Sequence, residues 1–273
     1  MASFHARSNS LPSRQHPFTS QIEENLNRLR SSQSASTSSS IGQQLNGLQD
    51  LHEYVDMLLQ LPLAQQALAQ ECVEELLDGS LVLLDVCNIA KDALFQTKEC
   101  TQELQSFLRR RRGVEGLASE VRKYLTSRKA VKEAIIKALK NLKHLETKQD
   151  KDGEVTSILR EVEAVTCSVL KSLLSFVSGP ASESKLSRFN LVSKLMHQKK
   201  VASEEDEENT NEIANVEATL RSFVKSENIK HVENLQNELQ NSESCIQDLE
   251  EGLESLFRRM IKARVTVLNV LNC

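Results

Sequence analysis

The sequence has few of the residues that interrupt helices or mark sheets. Its 273 residues include no tryptophan, two tyrosines, four prolines and eight glycines. Apolar residues make up 39% of the chain, mostly as leucine and valine on long stretches without glycine or proline. This composition favours helices over sheets and is sufficient for a core. We therefore predict an all-α protein, an elongated multi-helix bundle with a coiled-coil-like C-terminal helix and a disordered N-terminal tail.

The chain also lacks the patterns of membrane spans, secretion, disulfide frameworks and metal sites. No run approaches the roughly 18 apolar residues of a membrane span, and the first ten residues have no apolar signal core. The cysteines lie far apart, with no Cys-x-x-Cys or Cys/His pair at metal spacing. We expect reduced thiols in a cytoplasmic protein that carries no metal and no cofactor.

Catalytic motifs are missing as well. The sequence has no glycine-rich phosphate loop, no Gly-x-Ser-x-Gly and no His-Glu-x-x-His. Adjacent carboxylates such as Glu74 and Glu75 would point to different sides of a helix, which fits a solvated face. His52 falls on an apolar stripe and is interpreted as a partly buried packing residue. The sequence predicts no enzyme.

The first 40 residues are predicted to be a separate serine-rich tail. Residues 1–20 contain five serines and no acid, which predicts disorder. Ser20 and Glu23 have the spacing of a capping box and predict a short helix that ends near Arg30. The seven serines of residues 31–40 predict a linker that separates tail from body. An acid-poor, serine-rich N-terminus also fits a plastid transit peptide, and this alternative stays open.

The tail contains a motif typical of regulated phosphorylation. Arg7 lies three residues before Ser10, and Pro12 lies two residues after Ser10. A second serine, Ser8, directly follows Arg7. The pattern resembles both a basophilic-kinase site and the phosphoserine motif that 14-3-3 proteins bind. Phosphate on Ser10 would add about two negative charges and acceptors suited to an arginine cluster. We expect a phosphoprotein that binds a 14-3-3 protein.

The rest of the chain is predicted to be one helical bundle domain over residues 41–273, because every periodic segment there has the helical period. Leu77-Asp78-Gly79-Ser80 is expected to stop one helix and cap the next. An acidic loop is expected near 199–211, and a break near 226–228. The expected helices begin at Ile41, Pro62, Leu81, Leu117 and Val155, with a shorter one around 186–196 and a last one from Glu212.

The stretch from Val232 onward has an uninterrupted heptad repeat, which predicts one long helix with a single apolar seam. Such a seam must be buried against other helices, either within the chain or on a partner. We refer to this set as the C-terminal seam: Leu239, Ile246, Leu249, Leu253, Leu256 and Met260.

Basic residues concentrate in the middle of the chain. They could line a bundle helix that faces the acidic C-terminal half, or lie on an anionic membrane. Nucleic acid is not predicted, since Tyr124 is the only nearby aromatic and no binding motif surrounds it. The predicted basic patch consists of Arg109, Arg110, Arg111, Arg112, Arg122, Lys123, Lys129, Lys132, Lys140 and Lys143.

Several segments resemble a known family. They are residues 2–13 (ASFHARSNSLPS), 48–52 (LQDLH), 59–62 (LQLP) and 256–265 (LFRRMIKARV). Together they resemble a plant-specific family of unknown function grouped with the BYPASS proteins, over essentially the whole chain. The resemblance implies an intracellular helical plant protein linked to root and shoot development, and it implies no catalytic residue.

These observations predict a non-enzymatic interaction or scaffold protein that binds protein partners through helical surfaces. The alternative is a peripheral membrane protein recruited to anionic lipid through the basic helix around 114–148. The sequence leaves the oligomeric state open.

Overall fold

The computed structural model describes residues 17–32, 37–70, 73–110, 116–142, 153–179, 211–226 and 232–272. Every regular element in these ranges is an α-helix, which confirms the predicted all-α bundle. The helices are α1 (Pro17–Ser31), α2 (Ser38–Leu59), α3 (Pro62–Leu68), α4 (Glu74–Arg110), α5 (Leu117–Leu142), α6 (Glu154–Ser178), α7 (Glu212–Ser226) and α8 (Val232–Leu271).

The C-terminal helix α8 lies at the centre of the packing. It is 40 residues long, or about 60 Å, and it packs most extensively against α4 and α2. Ion pairs of Lys91 with Glu254 and of Lys98 with Glu250 show that α4 and α8 run antiparallel. The heptad period of α8 therefore finds its apolar partners within the same chain.

Two apolar clusters form the core. The larger one lies mainly between α2, α4, α6 and α8, and it includes buried residues of α1, α3 and the second half of α5. The smaller one joins the end of α4, the start of α5, α7 and the start of α8. Its buried residues include Leu108, Val121, Leu220 and Leu239.

Helix α4 corrects one sequence prediction. The pattern Leu77-Asp78-Gly79-Ser80 predicts the end of a helix, but α4 runs without interruption from Glu74 to Arg110. A glycine inside a helix costs about 1 kcal/mol relative to alanine. Burial of Leu76 and Leu83 on either side of Gly79 offsets that cost. Gly79 also lies against the Glu163 carboxylate of α6, where a β-carbon would come within 2.9 Å of Oε2.

Helix α1 differs from the expected tail in two ways. It begins at Pro17, so Ser20 lies inside the helix and does not cap it. Its apolar face is packed against the bundle: Ile22, Leu26 and Leu29 are at most 3% exposed. The contacts are with α2 and α6. Within the described residues, the body of the protein therefore includes α1.

The expected break before the long C-terminal helix is confirmed, because α7 ends at Ser226 and α8 begins at Val232. Helix α6 ends at Gly179, which has the positive φ of 69° that glycine tolerates. The expected short helix around 186–196 and all but the last residue of the expected acidic loop lie outside the described residues.

Candidate interaction surfaces and an internal cavity

The C-terminal seam lies in the core of its own chain. Its six residues are between 0% and 5% exposed. They face the apolar stripes of α2, α4 and α7. In this fold the seam stabilises the bundle, so a partner helix would have to bind elsewhere.

The residues of the predicted basic patch have different surroundings. Arg109 and Arg110 lie exposed at the end of α4, bonded to Gln105 and to the Ser106 carbonyl of the same helix. On α5, Arg122, Lys129 and Lys140 are exposed, whereas Lys123 pairs with Glu120 at 2.8 Å and Lys132 with Glu217 at 2.9 Å. Arg111, Arg112 and Lys143 lie outside the described residues.

Four cations of α5 form an exposed stripe: Arg122, Lys129, Lys137 and Lys140. Steps of seven, eight and three residues keep them on one side of the helix. None of them is in an ion pair with a described residue. We refer to this set as the α5 cation stripe.

A buried charge network joins α4, α5, α6 and α7. Arg128 is 1% exposed and donates hydrogen bonds to Thr97 Oγ1 at 2.8 Å and to the Val177 carbonyl oxygen. Its Nε lies 3.8 Å from Glu217 Oε2. Lys132 and Arg221 donate to Glu217 Oε1 at 2.9 and 2.6 Å. Each buried charge therefore has hydrogen-bonding partners of opposite polarity, which is the condition for tolerating it in a core.

Burial and hydrogen bonding have opposite effects on the pKa of Glu217. Burial alone would raise the pKa of Glu217, but the hydrogen bonds from Lys132 and Arg221 outweigh burial and lower it. The carboxylate is therefore ionised at neutral pH and compensates the cations around it. Through Glu217, this network connects α7 to α5.

A small cavity lies between α2, α4, α6 and α8. Its volume is about 60 Å³ and its walls are mainly apolar. The polar groups on its lining belong to His52, Ser80, Glu163, Thr166 and Arg264. Pockets for cofactors or metabolites are typically about 300–1,000 Å³. A cavity of this size has room for ordered water and is too small for such a ligand.

His52 holds one tautomer in this cavity. Its Nε2 lies 3.2 Å from Thr166 Oγ1, and the Thr166 hydroxyl donates to the Val162 carbonyl at 2.8 Å. Thr166 must then accept from Nε2–H, which leaves Nδ1 as a buried acceptor without a protein partner. Burial, with a smaller contribution from the Arg259 charge, lowers the pKa of His52 to about 4.

Glu163 lies on the same cavity, and its pKa is shifted in the opposite direction. Burial raises its pKa to about 8, and the positive charge of Arg160 offsets only part of this effect. The carboxyl is therefore mainly protonated at neutral pH. Its Oε1 has no hydrogen-bond partner. A neutral imidazole and a protonated carboxyl can each hydrogen-bond a water molecule in the cavity.

Most of the large exposed apolar side chains of the described residues lie toward one end of the bundle. Helix α3 packs on α8 there, and Arg264 of α8 donates to the Leu77 carbonyl and, at 2.6 Å, to Ser80 Oγ of α4. Of the six large apolar residues most exposed in the described ranges, only Phe95 lies elsewhere. We refer to the other five as the apolar end surface: Leu63 (80% exposed), Leu81 (47%), Ile261 (40%), Val265 (48%) and Leu271 (38%).

The remaining predictions concern the phosphorylation motif, the cysteines, membrane spans and metal sites. The phosphorylation motif of Arg7, Ser8, Ser10 and Pro12 lies outside the described residues. The four described cysteines are free thiols. Within the part of the chain that the structure describes, no helix is long and apolar enough to cross a membrane, and no three His, Cys, Asp or Glu side chains group as metal ligands.

Sequence reasoning missed three of these features. The signal for the charge network was present, because Arg128 interrupts the apolar stripe of α5 and Thr97 interrupts that of α4. Nothing in the local pattern identified Glu163, since an acid near an apolar stripe is common on helices. The apolar end surface combines residues of α3, α4 and α8, and no single segment shows it.

Comparison with known proteins bears on the family. A family model described as Protein BPS1 matches residues 44–270. None of the curated proteins matches the chain, and none of the solved structures matches it. The match covers nearly the whole described bundle, from α2 to the end of α8. The chain therefore belongs to the BPS1 protein family, in agreement with its resemblance to the BYPASS proteins.

Proposed function

We propose that the protein is a non-enzymatic interaction protein of the cytoplasm that binds a partner through the apolar end surface. A role in root and shoot development, which the family resemblance implies, is part of this proposal. The observation that carries it is the gathering of five exposed apolar residues from three helices at one end of the bundle. Single exposed apolar residues are ordinary, whereas grouped ones mark interaction sites.

The shape of this surface suggests the kind of partner. Ile261 and Val265 are one turn apart on α8, and Leu81 lies on α4, whose first turns are held beside them by Arg264. Two antiparallel helices form a shallow groove between their ridges. An amphipathic helix of a partner protein can lay its apolar face in such a groove.

The test compares affinity capture by wild type and by Ile261→Asp/Val265→Asp, followed by mass spectrometry of proteins from plant tissue. Both positions are at least 40% exposed, so the variant is expected to melt like the wild type while it loses its partners. Gln21→Asp/Ser157→Asp, at exposed positions of α1 and α6, serves as a control and should keep them. Equal capture by all three proteins would contradict the proposal.

A second candidate is recruitment to anionic membranes, which the α5 cation stripe favours. Its four cations are exposed and unpaired among the described residues, and each basic residue near an anionic surface contributes about 1 kcal/mol. Sedimentation with vesicles that contain phosphatidylserine tests it. Attachment should be lost at high salt and in Lys129→Glu/Lys137→Glu. No sedimentation at low salt would eliminate this candidate.

The serine-rich tail supports a proposed regulatory step. Phosphorylation of Ser10 by a calcium-dependent kinase should create a site for a 14-3-3 protein, because Arg7 and Pro12 stand at the motif positions. Ser10→Ala and Pro12→Ala should both lose binding. Equal 14-3-3 binding by both variants and by the phosphorylated wild type would argue against this step.

A further inference from the structure

The outer face of the α4–α5 pair carries two opposite lines of charge. Beside the α5 cation stripe, α4 presents four exposed carboxylates, none of them in an ion pair with a described residue. We refer to them as the α4 acidic ridge: Asp85, Asp92, Glu99 and Glu103. Phe95, 58% exposed, lies near the midpoint of the ridge.

The two lines match in length and are antiparallel. The ridge runs from residue 85 to 103 and the stripe from 122 to 140, so each covers about 27 Å of helix. Arg128 Nη1 donates a hydrogen bond to Thr97 Oγ1 at 2.8 Å, and Cys100 Sγ donates one to Ser127 Oγ at 3.0 Å. These two contacts fix the register of the two helices. In this register, the level of Asp85 on α4 is that of Lys140 on α5, and the level of Glu103 is that of Arg122.

We propose that this face binds a second copy of the chain across a two-fold axis parallel to α4 and α5. Such an axis places α4 of each copy opposite α5 of the other, and it keeps every residue at its own level along the helices. Asp85 then meets Lys140 of the second copy, and Glu103 meets Arg122 of the second copy. The contact occurs twice, as two-fold symmetry requires.

The pattern of like charges fits the same arrangement. A two-fold axis across the helices would place ridge against ridge and stripe against stripe, which is repulsive. The one acid on the stripe, Glu133, comes opposite Asp92, but Lys129 and Lys137 flank it one turn away on either side. An anionic membrane would attract the stripe and repel the ridge on the same face. Between a membrane and a second copy of the chain, only the second copy offers opposite charges to both the ridge and the stripe.

The expected interface is modest. Two helices side by side, about 27 Å long and about 20 Å across, bury on the order of 500 Å² per copy. The total of about 1,000 Å² is at the lower end for specific association. With charge as its main component, the dimer should be weak and sensitive to salt. The face borders the apolar end surface at Leu81, one turn from Asp85, but the substitutions that test the two proposals are at different residues, so either proposal can fail while the other holds.

The experiment measures the mass of the full chain in solution by sedimentation equilibrium. At low salt (about 0.05 M) the wild type should approach twice the monomer mass of 30.7 kDa, and at about 0.5 M salt it should return to the monomer. Asp85→Lys/Glu103→Lys and Arg122→Glu/Lys140→Glu should each be monomeric at both salt concentrations. Glu24→Lys/Glu154→Lys makes the same charge change as Asp85→Lys/Glu103→Lys, but at exposed positions of α1 and α6, and it should remain dimeric.

Charge exchange makes the test specific. An equimolar mixture of the two monomeric variants should form a heterodimer, and the variant with all four substitutions should form a homodimer, because opposite charges face each other again in both cases. A wild type that stays monomeric at low salt, or reversed variants that stay dimeric, would overturn the proposal. Attachment of a monomeric wild type to phosphatidylserine vesicles would assign the stripe to lipid instead.

Discussion

Arg128 is a buried cation whose polar contacts join several helices of the bundle. Its guanidinium bonds Thr97 and the Val177 carbonyl and lies beside Glu217, so it connects four helices. The hydroxyls of Thr97 and Thr101 donate to backbone carbonyls of α4 at 2.6 and 2.9 Å. The Thr97 oxygen is thereby free to accept from Arg128. This arrangement satisfies polar groups that would otherwise interrupt the core at cost.

Replacing Arg128 should therefore destabilise the protein strongly. Arg128→Met keeps much of the volume but removes the bonds to Thr97 and Val177 and one of the cations around Glu217. We expect a loss of about 2 kcal/mol or more, since one side of a buried pair is removed. Urea unfolding measures it. Arg122→Met, at an exposed position of the same helix, should change stability by less than about 0.5 kcal/mol, and similar losses in both would contradict the network.

Glu163 should give the protein a specific dependence on pH. Its pKa is raised from 4.5 to about 8, so the folded state holds a proton that the unfolded state releases, and stability falls as pH rises through this range. His52, whose pKa is lowered from 6.5 to about 4, acts in the opposite direction, but only below about pH 6.5. The window from pH 6.5 to 8 therefore isolates Glu163.

In that window, the wild type should lose on the order of 1 kcal/mol more than Glu163→Gln, which cannot ionise. Thermal unfolding at several pH values measures the difference. Glu154→Gln, an exposed change on the same helix, should retain the slope of the wild type. Parallel curves for wild type and Glu163→Gln would show that the carboxyl is not buried as the structure has it.

At the scale of elements, α1 is held by close packing against α2. A β-carbon on Gly47 would come within 2.9 Å of Leu29 Cδ2, whereas one on Gly42 meets nothing within 4 Å. Arg28 with Asp50 and Arg30 with Glu161 form ion pairs at the edges. These pairs are exposed and contribute little, so apolar contact provides most of the attachment.

This contrast predicts different results for two similar substitutions. Gly47→Leu should displace α1, lower the melting temperature and expose Arg28 and Arg30 to trypsin. Gly42→Leu should leave stability unchanged or raise it by up to about 1 kcal/mol, because leucine favours a helix over glycine. Limited proteolysis and thermal unfolding distinguish them. Equal cleavage in both variants would mean that Gly47 is not the contact point.

The elements also show what a sequence can and cannot predict. Helices α5, α6 and α8 follow from uninterrupted periodicity, the end of α6 follows from Gly179, and the break between α7 and α8 follows from the loss of phase after Ser226. The course of α4 through Gly79 did not follow, because tertiary burial of Leu76 and Leu83 overrides the local stop signal. The packing of α1 did not follow either. Leu29 and Gly47, which are in contact, lie on opposite sides of the serine-rich linker, and no local pattern connects them.

At the scale of the whole molecule, the long C-terminal helix serves the fold. The sequence shows that its seam must be buried, but periodicity does not distinguish a partner helix from α2 and α4 of the same chain. Since the seam is at most 5% exposed, the proposed partner binding must use surfaces that several helices build together. The apolar end surface and the α4–α5 outer face are of this kind, which explains why neither is visible in any one segment.

Hydrogen–deuterium exchange of the full chain without partners tests this account most directly. If α8 is part of the core, amides near Leu239 to Met260 should exchange only through global unfolding, as slowly as those of α2 and α4. A seam reserved for a partner would behave differently. Fast exchange along α8, while α2 and α4 remain protected, would contradict the account.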